Sequence, residues 1–326
     1  ELESEDVLDK VSACGVCGTD VHIYHGEKGS AEVVPPVILG HEISGVVEAV
    51  GPKVTKVSVG DHVSVDPNIY CGHCHFCRTG KKQLCENLFA IGVNRDGGFA
   101  DYCKVPQEQC FLLNDDIPLD EGAMAEPLAC CIHGFDRLNM KAGDTVCVIG
   151  GGAIGLLMVQ LARLSGSSAV ILSEPVEARR KTGLALGADH AADPIHENLV
   201  ERIHDILGTH GADCVIECVG NTIATDQAFN VAKRGAKLLL FSVPKTGSIY
   251  GLHMDDIYQK ELTIIGSMIN PDTHQRAVDM INNHRLDLRS LITHHYPHAR
   301  LEEAILMQMS DKSLKVIVGS GPDILP

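Results

Sequence analysis

Val146-Cys147-Val148-Ile149-Gly150-Gly151-Gly152-Ala153-Ile154-Gly155 is the stretch on which the reading of this chain turns. A short apolar run enters a cluster of glycines, and a helical pattern over residues 153–165 leaves it. Gly150, Gly152 and Gly155 have the spacing G-x-G-x-x-G. Alone, that spacing is weak and also describes a glycine-rich helix turn. Between a strand and a helix it describes a loop that receives a dinucleotide pyrophosphate. Gly150 permits the tight turn, Gly152 lets the backbone approach the phosphates, and Gly155 lets helix and strand pack closely. The helix start, with Ala153 and Ile154, turns its partial positive charge toward the anion.

Working outward, residues 169–173 form the next apolar run, and Glu174 follows it. A carboxylate there accepts hydrogen bonds from the adenosine ribose hydroxyls and repels a 2′-phosphate, so NAD is expected over NADP. Arg179 and Arg180 lie close by and weaken that preference; a plain surface Glu is the alternative. Runs at 213–217, 237–241 and 262–265 continue the series. They are apolar on both faces, as suits a parallel sheet covered by helices. The ends of these runs make Cys218, Val219, Ser242, Val243 and Ser267, with Arg179, candidate cofactor contacts.

Residues 1–117 read differently. Short strands at 7–11, 43–50, 62–65 and 100–105 are separated by turns such as Val50-Gly51-Pro52 and Val59-Gly60-Asp61. This predicts a β-rich first domain, 1–126, an α/β domain, 127–267, and a last segment, 268–326. The last segment holds a helix at 275–282 and a strand at 315–318.

Two sets of residues have metal-binding character. Cys71, Cys74, Cys77 and Cys85 form a four-thiolate set, the closed shell of a structural zinc. A nucleic-acid zinc knuckle is the rival, but Phe76, Arg78, Lys81 and Lys82 are a thin surface for it. The second set is dispersed: Cys17 in Cys14-Gly15-Val16-Cys17-Gly18-Thr19-Asp20-Val21-His22, then Gly40-His41-Glu42, then Glu126-Pro127-Leu128. A catalytic zinc needs about three protein ligands and an open position. Cys17, His41 and one or both of Glu42 and Glu126 can supply them, though a His after Gly is more often a turn residue.

Composition sets limits. The formal net charge is −16, with no basic stripe to neutralise phosphates, so no nucleic-acid partner is expected. No apolar stretch approaches the roughly 20 residues that span a bilayer, so no membrane role is expected, and no signal peptide is seen. Thirteen cysteines, an odd count, argue against a disulfide scaffold and for a reducing cytoplasm. The chain opens at Glu1 without Met, which suggests a start further upstream.

Taken together these motifs resemble the zinc-containing medium-chain alcohol/polyol dehydrogenases, over nearly the whole chain. Asp96-Gly97-Gly98-Phe99-Ala100-Asp101-Tyr102 adds to the likeness. The resemblance implies a GroES-like β-barrel catalytic domain, a Rossmann domain, and a C-terminal return to the first domain. The family's first strands would be absent. It implies one catalytic and one structural zinc, with NAD as cofactor. Cys17 and His41 would bind the catalytic zinc, Glu42 directly or exchangeably, and Glu126 directly or through water as in the sorbitol dehydrogenase branch. Thr19 would take the alcohol's proton, His22 would pass it on through the cofactor ribose, and Asp20 would orient His41.

For substrate, Glu126-Pro127-Leu128 points to polyols and their phosphates, with L-threonine or butanediol second. The Arg-Tyr pair that helps sorbitol dehydrogenases hold their polyol is replaced by Ile269-Asn270. Arg95 is a candidate substrate contact, with a surface turn as the alternative. A small-molecule alcohol and a homo-oligomer, tetrameric by resemblance, are the expected partners. The rival class is a non-catalytic cofactor-binding sensor on the same fold. The cysteines outside the two metal sets are expected in the core, and His294-His295-Tyr296-Pro297-His298 at the surface.

Overall fold

The computed structural model describes residues 2–27, 33–208 and 211–320. Its contacts divide the chain into two compact units, 1–130 with 269–326, and 131–268.

In the first unit β1 (Asp6–Gly15) leads into α1 (Gly18–Tyr24). That helix starts where Asp20, three residues past the N-cap, accepts the Cys17 N–H at 2.8 Å. Then come β2 (Glu42–Val50), β3 (His62–Val65), β4 (Asn68–Ile69), α2 (His75–Arg78), β5 (Phe89–Ala90), β6 (Tyr102–Pro106), β7 (Cys110–Leu112) and α3 (Leu119–Gly122). α4 (Ala125–Leu138) carries the chain into the second unit.

There β8 (Thr145–Ile149), α5 (Ala153–Leu164), β9 (Ala169–Ser173), α6 (Glu177–Ala185), β10 (His190–Ala192), α7 (Leu199–Leu207) and β11 (Ala212–Glu217) follow one another. α8 (Thr222–Val231), β12 (Ala232–Leu240), α9 (Met254–Lys260) and β13 (Thr263–Gly266) complete that unit. The chain then re-enters the first unit as α10 (His274–Asn282), β14 (Ile292–Tyr296), α11 (Leu301–Gln308) and β15 (Lys315–Gly319).

The second unit is a parallel six-stranded sheet of order β10-β9-β8-β11-β12-β13. β8 lies where the order reverses, between β9 and β11. Open α/β sheets bind their ligands at the C-terminal ends of the strands at such a point. Val146 and Cys147 of β8, Val170 and Ile171 of β9 and Cys214 and Val215 of β11 are all buried; adjacent residues point to opposite faces, so the sheet is covered on both.

The first unit is built on a sheet of order β14-β15-β1-β2-β3-β7, with β6 also on β1. β1 pairs antiparallel with β2, β6 and β15, so a strand near residue 10 is joined to one near residue 317. Val7, Val11, Ile43, Val63, Val105, Val316 and Val318 fill the core between them. The mixed barrel-like sheet and the parallel sheet together are the α/β architecture read from the sequence.

Candidate active site and metal centres

The four cysteines of the loop converge. Cys71, Cys74, Cys77 and Cys85 bring their sulfurs within 4.8 Å of one another. Sγ of Cys71 and Cys77 are 3.9 Å apart, and those of Cys74 and Cys85 are 4.0 Å apart. A tetrahedron of metal–sulfur bonds of about 2.3 Å has edges of about 3.8 Å, which these two separations approach, so the set suits zinc. Backbone N–H groups of Cys71, Cys74, Cys77 and Asn87 point at these sulfurs at 3.4–3.5 Å. Such donors favour thiolates; the Cys71 thiol is lowered to about 6, through the backbone N–H of His73 and then that of Cys74.

Cys17, His41 and Glu42 form a second group whose ligand atoms lie within 4.8 Å of one another. Cys17 caps α1, while His41 and Glu42 sit at the entry to β2. Gly15 leaves room for Glu42: a Cβ there would lie 1.9 Å from its Oε2. Asp20 is fully buried beneath, its Oδ1 3.7 Å from His41 Nδ1. That is an ion-pair distance. Burial works against charge on His41, but Asp20 and then Cys17 outweigh it and hold its pKa well above the ordinary value. One sulfur, one imidazole and one carboxylate are a donor set suited to a catalytic zinc with an open position. The concentration of negative charge there fits a cation.

Glu126, in the first turn of α4, lies outside that 4.8 Å group. It is buried, which raises its carboxyl to about 7, with His41 opposing and Glu42 adding to the rise. The Cys130 thiol donates to its Oε1 at 3.3 Å.

Glu42 has a partner that sequence reasoning missed. Lys315 of β15 donates to Glu42 Oε1 and Oε2 at 2.8 and 2.7 Å and to the Val16 carbonyl at 3.2 Å. Their side chains are 5% and 1% exposed. Burial disfavours the Lys315 ammonium, yet Glu42 and then Cys17 hold it charged, above its ordinary pKa. Lys315 thus engages the carboxylate that a metal would otherwise share, and it fixes the backbone beside Cys17.

Thr19 and His22 lie three residues apart on α1, on one helix face and partly exposed. His22 Nδ1 is 2.6 Å from Glu27 Oε2.

In the second unit the glycine loop follows β8. Gly150 has φ of +98°, a conformation that favours glycine. A Cβ on Gly155 would lie 1.8 Å from the Gly150 carbonyl oxygen, so the helix closes on its own loop only with glycine there. A Cβ on Gly152 would meet nothing within 4 Å, so that side of the loop is open. Ala153 and Ile154 begin α5. Glu174 is buried; its Oε2 takes the Gly151 N–H at 2.6 Å and its Oε1 the Val176 N–H at 2.8 Å. The carboxylate therefore also holds the loop in shape, and its remaining lone pairs are what a ribose can use. Arg180 donates to the Glu174 and Pro175 carbonyls, both at 2.7 Å, while Arg179 is partly buried.

Glu217, at the end of β11, was also missed. It takes the N–H groups of Val219 and Gly220 at 2.6 and 2.8 Å and the Ser242 hydroxyl at 2.5 Å. This shapes the segment containing Cys218 and Val219 and ties it to Ser242. Val219 and Val243 are half exposed, and the Ser267 hydroxyl is buried with no hydrogen-bond partner among the described residues.

Other candidates settle elsewhere. Arg95 is exposed and stacks over the Phe89 ring at 4.8 Å. Asn270 is fully buried and bonded to Asn68 and Asp66, at 2.6 and 3.3 Å, so it links segments of the first unit. His295 binds Asp120 at 3.0 Å, and the histidines of 294–298 form no ligand group among the described residues. Cys14, Cys103, Cys110, Cys131, Cys147 and Cys214 are core residues, whereas Cys130 and Cys218 are partly exposed. Among the described residues no helix is long and apolar enough to cross a membrane.

Comparison with known proteins agrees with this geometry. Residues 3–115 match the family described as alcohol dehydrogenase GroES-like domain, and residues 153–283 that described as zinc-binding dehydrogenase. The chain is 31% identical over 322 residues to sorbitol dehydrogenase of Bacillus subtilis (strain 168), covering 98% of this chain and 91% of that protein. It is 33% identical over 322 residues to L-threonine 3-dehydrogenase of Caldanaerobacter subterraneus subsp. tengcongensis, covering 98% and 92%. A zinc-binding dehydrogenase of Sinorhizobium meliloti 1021, solved bound to NADP, superposes with a TM-score of 0.94 at 40% identity, covering 98% of this chain and 93% of that one. With a sulfur-imidazole-carboxylate group in one unit and a glycine loop on a parallel sheet in the other, the chain belongs to the zinc-containing medium-chain alcohol/polyol dehydrogenase family.

Proposed function

We propose that this protein transfers a hydride between the secondary alcohol of a polyol or sugar alcohol, free or phosphorylated, and NAD. The observation that carries the reading is the gathering of Cys17, His41 and Glu42 above the buried Asp20. A zinc ion held by Cys17, His41 and one of Glu42 and Glu126 would supply Lewis acidity that stabilises an alkoxide at neutral pH. Asp20 orients His41. Thr19 accepts the alcohol's hydrogen bond and takes its proton, and His22 passes that proton to solvent through the cofactor ribose. Cys71, Cys74, Cys77 and Cys85 hold a second zinc that keeps their loop folded. The cofactor carries the hydride chemistry, and Gly150, Gly152, Ala153, Ile154 and Gly155 seat its pyrophosphate. Arg179, Cys218, Val219, Ser242, Val243 and Ser267 border it.

Glu174 supports NAD, because a carboxylate repels a 2′-phosphate. The thirteen free thiols suit a reducing cytoplasm. β13, an edge strand of the parallel sheet, and the exposed Met254 and Tyr258 support self-association, which light scattering tests. L-threonine is the second substrate reading, favoured by the 33% identity to an L-threonine 3-dehydrogenase.

The test is NADH production across polyols, polyol phosphates, L-threonine and 2,3-butanediol, with and without a zinc chelator. Chelator-sensitive turnover of a polyol or its phosphate supports the proposal. Turnover of threonine alone keeps the mechanism and discards the polyol. Bound NAD with no turnover on any alcohol would favour the sensor.

A further inference from the structure

We propose that Glu27 is a positioning residue of the proton relay, which fixes the tautomer of His22 and balances the charge His22 acquires. This rests on the relay reading above, in which Thr19 takes the alcohol's proton and His22 receives it from that relay and passes it to solvent.

The geometry comes from how α1 ends. Gly26 has φ of +72°, and its N–H bonds the Ile23 carbonyl at 2.9 Å. The Glu27 N–H bonds the His22 carbonyl, also at 2.9 Å. These two bonds, with a left-handed glycine between, form a helix stop that sets the residue after the glycine against the residue four before it. Apolar side chains usually meet at that contact. Here the two residues are His22 and Glu27, and their Nδ1 and Oε2 are 2.6 Å apart. Each side chain is 26% exposed, so the pair lies between protein and water.

Among the described residues, the carboxylates of the helix packed against α1 have other partners. α11 packs against α1. Its Glu302 takes the Tyr24 hydroxyl at 2.7 Å, and its Glu303 is held by Arg300 at 2.6 Å. His25 is the C-cap of the helix.

The chemistry follows from the imidazole ring. A carboxylate that accepts from Nδ1–H leaves the lone pair on Nε2. In alcohol oxidation the C–H electron pair leaves as hydride to the nicotinamide, and one proton leaves the hydroxyl. Relayed by way of Thr19, that proton forms the N–H bond at His22 Nε2. Glu27 then faces an imidazolium, and the proton departs to water from this partly exposed group. Without the carboxylate the ring divides its time between tautomers, and only one of them can accept.

The experiment uses the full chain loaded with zinc. Imidazole nitrogen spectra, with His22 assigned by difference against His22→Gln, are expected to show the hydrogen on Nδ1. Glu27→Gln is expected to mix the tautomers, and Glu27→Asp to retain the parent pattern in part. A parent ring with its hydrogen on Nε2 overturns the proposal whatever the activity. Glu27→Gln is expected to lower kcat for alcohol oxidation roughly tenfold with little change in KM, a fraction of what general-base catalysis contributes. In a His22→Gln background the same change is expected to cost less than about twofold, because the two act as one unit. Equal losses in both backgrounds would mean that Glu27 acts on the fold, and the proposal would fall. A parent with the Nδ1–H tautomer and no alcohol turnover would overturn the dehydrogenase reading and the relay role with it, leaving only the tautomer lock.

Discussion

Asp9 offers the sharpest test of how the first unit is held together. It sits on β1 with its side chain in the core, 0% exposed, and neither carboxylate oxygen has a hydrogen-bond partner among the described residues. Val47 of β2 and Cys103 of β6 lie opposite it across the sheet. A Cβ on Gly45 would come within 2.4 Å of Oδ1, so that glycine makes the space the carboxyl occupies. Burial raises Asp9 from 3.8 to about 8, and no cation opposes the rise. The carboxyl also raises the thiols of Cys103 and Cys110, after burial itself.

The sign follows from linkage. The unfolded chain loses the Asp9 proton near pH 4 and the folded chain keeps it until about pH 8. Between those values the unfolded state gains stability as pH rises, by about 1.4 kcal/mol per unit. At pH 7 the cost is about 4 kcal/mol, a large share of the 5–15 kcal/mol that usually separates folded from unfolded states. Asp9→Asn keeps the shape and removes the titration. Urea midpoints of metal-loaded parent and variant at pH 5, 6, 7 and 8 should converge toward the acid end and separate toward the alkaline end. The variant should gain about 4 kcal/mol on the parent over those three units. A stability difference that stayed flat with pH would show that Asp9 is not held protonated by burial, and the reasoning would fail.

Three further outcomes are expected. Cys17→Ser abolishes turnover and lowers zinc content while NAD binding, measured by calorimetry, persists; surviving turnover would remove Cys17 from the metal site. Glu174→Ala narrows the preference for NAD over NADP and also destabilises the glycine loop, whose Gly151 N–H loses its partner; an unchanged ratio of kcat/KM values would end the ribose reading. Lys315→Met leaves Glu42 buried without its cation and costs about 3–5 kcal/mol, read as a fall in Tm. Glu42→Gln combined with it recovers part of that loss; if the double variant recovered nothing, the pair would not be the source.

What the sequence disclosed was what is local. The loop from Gly150 to Gly155 could be read because its turn, its close contact and its helix start all fall within six residues. The cysteines from 71 to 85 could be read because four thiols at short spacing have few other uses. Lys315 could not, because it meets Glu42 across 273 positions and a single Lys in an apolar strand carries no partner's name. Glu217 and Asp9 look like ordinary strand residues until burial is known. Asn270 was noticed only as the loss of an expected pair, and its bonds to Asn68 and Asp66 depend on a fold in which 68 and 270 meet. The histidine-rich stretch read as surface because its polarity hid a strand; β14 pairs in parallel with β15, and His295 is partly buried against Asp120. The stop that brings His22 to Glu27 was legible in principle, since a glycine after a short helix fixes which residues meet.

The reach of Lys315 has a consequence for the order in which this molecule can be made. A ribosome threads the chain out from its N-terminal side, so Cys17, His41 and Glu42 emerge long before the strand that completes their surroundings. The whole of 131–268 must be synthesised between them. During that interval β1 lacks its neighbour β15, and the Glu42 carboxylate lacks its ammonium. The nascent first unit therefore presents an open strand edge and an unneutralised acidic cluster while the parallel sheet that follows it in the chain is already able to fold. Ribosome-bound chains halted before residue 315 should bind the cofactor and yet hold the metal at Cys17 poorly. Metal retention at that site would then report that translation has passed β15.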